Sequence, residues 1–209
     1  MSALPPVVLA SRRNPSQARS MVTVDAIFQA CIQVLLKEGM HRLTTTRVAE
    51  RAGVSVGTLY QYYPNKQALL YAVLERHLNS VATAVEIAAL RAHHQPLETM
   101  VQTIVEAFVT AKIESIDEAR ALYGVASELA CAELVTAASM TVGTALAAML
   151  ATAPDARFKD LVVTSYMFAT AMVGPTKAVL EEQAPPKLVL VLRKQLTSLC
   201  LGYLERESF

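Results

Sequence analysis

The sequence between Thr45 and Tyr63 has the residue types and spacing of a helix-turn-helix, a unit that places one short helix in the major groove of DNA. Ala49 is small where the two short helices would touch, and Gly53 permits the positive φ that the turn between them requires. The apolar positions that would face the interior are Val48, Ala52, Val54, Leu59 and either Tyr62 or Tyr63. Because these requirements are met together, the pattern favours DNA binding over an ordinary helical hairpin with a glycine turn.

The distribution of charge supports a DNA-binding head. Residues 1–66 hold eight Lys or Arg against three acidic residues, a net charge of +5, whereas the remaining 143 residues hold eleven basic and fifteen acidic residues, a net charge of −4. The whole chain carries only +1. A basic head on an acidic body nevertheless favours a polyanionic partner at one end.

Residues 1–20 contain three prolines and three arginines without helical periodicity, which predicts a flexible basic arm. Counterion release would favour phosphate or minor-groove contacts by its polar residues. Those residues are Arg12, Arg13, Gln17 and Arg19. A solvated tail without DNA contacts is the equal alternative.

Long runs without Gly or Pro predict that the elements positioning these groups are helices. The apolar stripe of the first helix comprises Ile27, Ala30, Cys31, Val34 and Leu35. Gly39 is a C-terminal stop for this helix, and the hydroxyls of Thr44–Thr46 and of Ser55 can cap the two short helices. Asn65 can cap a fourth, longer helix, from Lys66 to about Ala89.

After a polar break, five further helices are predicted at about 97–114, 117–131, 133–152, 156–181 and 186–206. The fold class is therefore all-α, with a small N-terminal three-helix head on a larger C-terminal bundle and about nine helices. The predicted domains are a basic arm (1–20), a helix-turn-helix DNA-binding domain (21–66), and a helical ligand-binding and dimerisation domain (67–209).

The run Leu43–Ser55 (LTTTRVAERAGVS), followed by Val56–Leu70 (VGTLYQYYPNKQALL), resembles the DNA-binding head of the tetracycline-repressor (TetR) family. Its segment Thr58–Leu69 is especially typical of that family. The resemblance implies a homodimeric regulator, usually a repressor, whose two heads occupy successive major grooves of double-stranded operator DNA. It also implies a C-terminal bundle in which a small effector binds and moves the heads apart. An activator or dual regulator of the same fold is the alternative.

The resemblance further implies which residues contact DNA. The residues expected at base edges are Val56, Gly57, Thr58 and Gln61. The residues expected at phosphates are Thr45, Tyr60, Tyr62 and Lys66. The expected set is completed by Thr46 and Arg47, where family members touch the backbone or a base, and by the cap residue Ser55.

The chemistry of these residues supports phosphate binding more than base reading. Lys66 would lie in the first turn of a helix, where a cation opposes the helix dipole and so suggests a phosphate partner. Val56 and Gly57 offer no side-chain hydrogen bonds to bases, which leaves Gln61 as the long polar group on that face. Shape readout is therefore expected to contribute to specificity.

In the family the last two long helices of each subunit pair into a four-helix bundle, here at about 156–181 and 186–206. The candidate interface or core residues are Leu161, Tyr166, Ala169, Met172, Val173, Leu188, Leu192, Leu196 and Leu199. The residues that could line an effector cavity are Phe108, Tyr123, Met140, Met149, Tyr166 and Met172, with simple core packing as the alternative for each. The absence of an arginine cluster favours a lipophilic or aromatic effector over a phosphorylated one.

No Gly-rich phosphate loop, nucleophile elbow or metal-ligand spacing is found, so we expect neither an enzyme nor a cofactor. His93 and His94 read as a loop pair rather than a metal site. Cys31, Cys131 and Cys200 lie far apart in apolar contexts, which predicts reduced, buried thiols in a cytoplasmic protein.

The stretch Leu134–Pro154 has no charge and is long enough to cross a bilayer. Its five Ser or Thr and seven Ala favour a buried helix in a soluble bundle over a membrane span. We therefore expect no membrane partner. A membrane-associated protein built on this stretch and on 161–176, and a helical enzyme, are the remote alternatives.

Overall fold

The computed structural model describes residues 18–113, 116–129, 131–180 and 186–209. Over these residues the fold is all-α, as predicted, with nine α-helices and no β-strand. The helices are α1 (Ala18–Glu38), α2 (Thr45–Ala52), α3 (Val56–Tyr62), α4 (Lys66–Ala92), α5 (Leu97–Ile113), α6 (Ile116–Glu128), α7 (Ala132–Leu150), α8 (Leu161–Leu180) and α9 (Pro186–Glu207). A 3₁₀ turn, Met40–Arg42, lies between α1 and α2.

The described residues form two compact units. The N-terminal unit comprises the residues up to His77 together with Arg120–Cys131, and the C-terminal unit comprises Leu78–Ala119 and Ala132–Phe209. α4 and α6 therefore each contribute residues to both units. The sequence predicts that the DNA-binding domain ends at residue 66 and that the ligand-binding and dimerisation domain begins at residue 67. This functional boundary stays a prediction.

α1 is the central apolar element of the N-terminal unit. The predicted stripe is confirmed, because Ile27, Ala30, Cys31, Val34 and Leu35 are all buried. The helix begins at Ala18, within the segment that the sequence assigned to the basic arm. It ends before Gly39, which adopts φ +78° and donates its amide to the carbonyl of Leu35 at 2.9 Å.

The C-terminal unit is built around α8, which packs against α7 and α9, while α9 also packs against α5. Its largest fully buried side chains include Met100, Ile104, Leu146, Met149, Leu150 and Phe168. The segment after α7 caps the start of α5, since the carboxylate of Asp155 accepts a hydrogen bond from the amide of Leu97 at 2.9 Å. This carboxylate satisfies an amide that has no partner within its own helix.

The boundaries of the body helices differ from the prediction most at α8. The sequence places its start at about 156, whereas the helix begins at Leu161. Phe158 instead bridges to Ser208 near the C-terminus. Asp160 then caps the helix by accepting a hydrogen bond from the amide of Val163 at 3.0 Å.

α7 is more exposed than the sequence predicts. Only Leu146, Met149 and Leu150 near its C-terminal end are buried, so the expectation of a buried helix over Leu134–Pro154 is wrong for the single subunit. Its Ala, Ser and Thr residues are small, and such residues tolerate exposure at little cost. Within the described residues, the segments Ser20–Glu38 and Ala132–Leu150 are long and apolar enough to cross a membrane by length and composition alone.

Candidate nucleic-acid interface

The turn between α2 and α3 has the geometry that the sequence predicts. Gly53 adopts the left-handed conformation at φ +69° and ψ +27°. The amide of Val54 donates to the carbonyl of Ala49 at 3.0 Å, and the amide of Gly53 donates to that of Glu50 at 3.2 Å. These two bonds form a Schellman motif, which fixes the direction in which the chain leaves α2.

Hydroxyl side chains cap α2 and α3, and an amide side chain caps α4, as predicted. Thr44 accepts a hydrogen bond from the amide of Arg47 at 3.3 Å, and Ser55 accepts one from the amide of Thr58 at 2.9 Å. Asn65 caps α4 by accepting a bond from the amide of Ala68 at 2.7 Å. The ends of α2, α3 and α4 are therefore set by local chemistry.

α3 has one buried face and one exposed face. Leu59 and Tyr62 are buried, and Tyr63, which follows the helix, stacks on Phe28 of α1 with ring centroids 5.7 Å apart. Of the expected base-edge residues, Gly57 and Gln61 lie on the exposed side, whereas Val56 and Thr58 are half-buried. The helix therefore presents a face without bulky side chains at its N-terminal end, where a base pair can approach the backbone.

The two tyrosines expected at phosphates have different surroundings. Tyr60 is 41% exposed, and its hydroxyl lies 3.1 Å from the hydroxyl of Thr45 at the start of α2. Tyr62 is buried, and its hydroxyl lies 3.0 Å from that of Ser20 in α1. Tyr60 is thus placed for an external partner, whereas Tyr62 joins α3 to α1.

Lys66 is half-buried at the start of α4. Its ammonium group donates to the carbonyl of Met40 at 2.9 Å, which ties the start of α4 to the 3₁₀ turn. An ammonium group has three donors, so this bond leaves capacity for a phosphate.

Arg47 is exposed, and its guanidinium pairs with the carboxylate of Glu38 in the last turn of α1. The same nitrogen also lies 3.4 Å from the carbonyl oxygen of Arg42. One turn later on α2, Arg51 donates to the side-chain oxygen of Gln33 at 2.7 Å. Glu38 and Gln33 could not be identified as partners from sequence, because residues on separate helices leave no local spacing signal.

These contacts border an open groove of about 380 Å³ between α1 and α2. The groove is lined by Gln33, Val34, Lys37, Glu38, Arg47, Glu50 and Arg51. Three of these side chains are basic and two are acidic. Thr46, the remaining residue expected to touch DNA, is exposed at the start of α2.

Part of the expected arm lies outside the described residues, namely Arg12, Arg13 and Gln17. The backbone of Arg19 belongs to α1, but its side chain is outside the described part.

The structure separates the residues expected around an effector. Phe108, Met149 and Met172 are buried in the core of the C-terminal unit. Met140 and Tyr166 lie on the surface of the subunit, with 68% and 61% exposure. The side chain of Tyr123 lies outside the described residues, and its backbone belongs to the part of α6 in the N-terminal unit.

α8 and α9 also divide into a core face and an exposed face. Of the residues named from sequence, Met172, Leu192 and Leu196 are core, Tyr166, Val173 and Leu199 are exposed, and Leu161, Ala169 and Leu188 are partly buried. The other large apolar side chains exposed on these two helices are Val162, Val163, Met167, Leu190 and Val191. Two neighbouring helices thus carry an apolar surface that no described part of the subunit covers.

The three cysteines are buried, as predicted. Burial raises the pKa of Cys31 and of Cys200 to about 12, and it also raises the pKa of Cys131. Among the described residues, no three His, Cys, Asp or Glu side chains form a group that could hold a metal ion.

Comparison with known proteins matches both parts of the chain to family models. Residues 27–73 match the model described as bacterial regulatory proteins, tetR family. Residues 96–204, more than half of the chain, match the model described as tetracyclin repressor-like, C-terminal domain.

Individual relatives agree with these matches. The chain is 37% identical over 60 residues to the HTH-type transcriptional regulator YvkB of Bacillus subtilis, which spans 29% of this chain and 32% of that protein. It is 39% identical over 64 residues to the HTH-type transcriptional repressor KstR of Mycolicibacterium smegmatis, and this match spans 31% of this chain and 31% of that protein. The match thus spans about a third of the length of these two relatives.

A solved structure extends the likeness to nearly the whole chain. A TetR-family transcriptional regulator from Mesorhizobium loti has a similar fold, with a TM-score of 0.74 over 92% of this chain and 100% of that one. The sequence identity is 15%, so this likeness concerns the fold alone.

Proposed function

The chain belongs to the tetracycline-repressor family of bacterial transcription regulators, and from this membership we propose that it is a homodimeric repressor released from its operator by a small molecule. As a member of the family it is a DNA-binding regulator and not an enzyme. The repressor role, the effector and the residues that perform each step are the proposal. An activator of the same fold is the alternative, which a reporter gene placed behind the operator distinguishes by the direction of the response.

The observation that carries the proposal is the exposed N-terminal face of α3, held at a fixed angle to α2 by the Gly53 turn. Gly57 lets the backbone approach base edges, and Gln61 is a long polar side chain on the exposed side of the helix. Thr45, Tyr60 and Lys66 are proposed to bind phosphates, with Thr46 and Arg47 beside them at the start of α2. Tyr62 acts in this proposal through packing, since its ring is buried and its hydroxyl lies against Ser20.

The exposed apolar face of α8 and α9 supports the proposed homodimer. An isologous dimer covers the same surface on both subunits and gives the two heads the two-fold symmetry of a palindromic operator. The C-terminal part of the chain, 67–209, is proposed to dimerise and to bind the effector, while 21–66 binds DNA.

The effector is proposed to be lipophilic or aromatic. Support comes from the apolar character of the C-terminal unit, whose core includes Phe108, Met149 and Met172. Coupling between sites is reciprocal, so operator DNA should weaken effector binding by the same factor by which the effector weakens DNA binding. We also propose a cytoplasmic location, where the operator DNA is.

Selection from a random-sequence duplex library tests the proposal directly. We expect the full-length protein to enrich a palindromic sequence and to bind it with an affinity that falls steeply as salt is raised. The matched control is a shuffled duplex of the same composition. Absence of an enriched sequence, or an affinity that barely responds to salt, would refute operator binding dominated by phosphate contacts.

A further inference from the structure

Arg47 is the only basic residue in the first turn of α2, and its guanidinium is already occupied in the free protein. It pairs with the carboxylate of Glu38, while the carbonyl oxygen of Arg42 lies 3.4 Å from the same nitrogen. Both side chains of the pair remain partly exposed, at 45% for Arg47 and 29% for Glu38. The pair is therefore accessible to DNA that approaches the start of α2.

The neighbouring arginine of the same groove is held differently. Arg51 donates to the neutral amide oxygen of Gln33, so its charge stays available to a phosphate. Arg47 is paired with a full negative charge, and a phosphate can recruit it only by displacing Glu38. Such a displacement exchanges one charge-assisted contact for another and releases little free energy.

We propose that Glu38 is a specificity-determining residue of the DNA-binding surface, which restrains Arg47 and so suppresses its recruitment by phosphates of non-specific DNA. Phosphate contacts carry no sequence information, and they supply nearly all of non-specific binding. An acidic residue that sequesters one cation per head therefore lowers non-specific affinity, and it raises the ratio of operator to non-specific affinity provided that the operator complex leaves the Glu38–Arg47 pair in place. The inference rests on the proposed contacts of α2 and α3 with DNA.

A purely structural role for the pair is disfavoured by its surroundings. Exposed ion pairs contribute little to folding stability. The start of α2 is independently fixed by the Thr44 cap and by Val48 and Ala49, which are completely buried. The Glu38→Gln variant is therefore expected to fold, and circular dichroism checks this.

The experiment compares Glu38→Gln, Arg47→Met, the double variant and the wild type. Glu50→Gln is the matched control, because it removes an exposed acid that lines the same groove. Each protein is titrated with the duplex enriched by the wild type and with its shuffled counterpart, over a series of salt concentrations.

For Glu38→Gln we expect roughly two- to fivefold tighter binding to the shuffled duplex, the size expected for release of one exposed ion pair, and a smaller change on the enriched duplex. Its salt dependence on the shuffled duplex should steepen by about 0.9 in the slope of log K against log salt for each phosphate gained. In the Arg47→Met background, the same substitution should change binding no more than Glu50→Gln does.

Three results would overturn the inference. Equal tightening on both duplexes would remove the specificity role, and an effect of Glu38→Gln that persists without Arg47 would show simple repulsion of DNA. If Glu38→Gln fails to fold, Glu38→Asp takes its place, because it keeps the charge on a shorter side chain. Unchanged binding of the folded Glu38→Asp protein to the shuffled duplex would then count against the restraint of Arg47 by Glu38. If the wild type enriches no sequence, the proposed function fails, while binding of the variants to a duplex of arbitrary sequence still decides whether Glu38 restrains Arg47.

Discussion

The hydroxyl groups of Thr45 and Tyr60 lie 3.1 Å apart and join the first turn of α2 to the exposed side of α3. Thr45 is the first residue of its helix and Tyr60 is 41% exposed, so the pair stands at the surface and not in the core. One hydroxyl donates to the other, which leaves the second proton free to point outward, so the pair offers one donor to a phosphate and a second only if the bond between them is broken. This pairing brings together a threonine and a tyrosine fifteen residues apart, and it supports their proposed role in one phosphate-binding site.

The first prediction is that Tyr60→Phe weakens operator binding about three- to tenfold through loss of one hydrogen bond to phosphate. The slope of affinity against salt should barely change, because no charge is removed. The free energy of unfolding should stay within about 0.5 kcal/mol, as is usual for exposed positions. Fluorescence anisotropy and chemical denaturation measure these quantities.

Tyr62→Phe is the matched control for Tyr60→Phe. It removes a hydroxyl that contacts Ser20 beside a buried ring, so we expect a loss of about 1 kcal/mol in stability. Operator affinity measured on the folded protein should change less than in Tyr60→Phe. The opposite ranking would place Tyr62 at the phosphate and contradict the assignment made from its burial.

The helix-turn-helix was predictable from sequence because its geometry depends on local chemistry. A glycine that must adopt positive φ, a hydroxyl before each short helix and an asparagine before α4 act within five residues of their own positions. Ser20 and Glu38 could not be found in this way. Each contacts a residue on another helix, and such pairs depend on how the helices pack.

The second prediction compares two glycine-to-alanine substitutions that should act in opposite directions. A Cβ at Gly57 would meet only the hydroxyl of Ser55 at 3.7 Å, so Gly57→Ala should stabilise the fold by about 0.5 kcal/mol through reduced chain entropy. The added methyl group should also hold bases away from the backbone and weaken operator binding about tenfold or more. Gly53 adopts φ +69°, and Gly53→Ala should destabilise the fold by about 1 kcal/mol.

Thermal unfolding and operator titration of both variants check this pair of predictions. A Gly57→Ala protein that binds the operator as tightly as the wild type would show that the backbone of α3 does not approach the bases.

The C-terminal helices were less predictable, for a physical reason. α8 and α9 are apolar on two faces, so helical periodicity cannot separate residues of the subunit core, such as Met172, from exposed apolar residues, such as Tyr166, which we propose for the dimer interface. The same ambiguity affects Met140, which the sequence suggested for a cavity and which lies on the surface of α7. Burial against a second subunit and burial in a core select the same residue types.

The third prediction is that Tyr166→Glu converts the dimer into monomers, because a carboxylate in the centre of an apolar interface is desolvated without a partner. Monomers should bind the operator about 100-fold more weakly, since two linked heads gain strongly from binding together. Sedimentation velocity and operator titration provide the measurements. Leu90→Glu is the control, because it places the same carboxylate at a 70% exposed apolar position on a different helix, α4. A Tyr166→Glu protein that remains dimeric would place the interface on another surface.

Lys112 is a buried cation on the apolar side of α5. It is only 7% exposed and lies one turn after Phe108, on a helix whose buried face is otherwise made of apolar residues. Burial lowers the pKa of Lys112 from its usual 10.5 to about 8, because a charged ammonium group is poorly solvated there. The charged form is therefore less favourable in the folded protein than in the unfolded chain.

The fourth prediction follows from this shift. Below pH 8 the lysine is protonated in both states, and the folded state bears the whole cost of the lowered pKa, about 3 kcal/mol for a shift of this size. Between pH 8 and 10.5 the unfolded chain holds more protons than the folded protein, so the stability contributed by this residue rises with pH. Lys112→Met should consequently unfold at higher denaturant than the wild type at pH 7, and the difference should shrink as the pH approaches 10. Lys159→Met, which removes a lysine at an exposed position, is the matched control. A Lys112→Met protein less stable than the wild type at pH 7, or a difference that does not vary with pH, would show that partners of the ammonium group outweigh its desolvation.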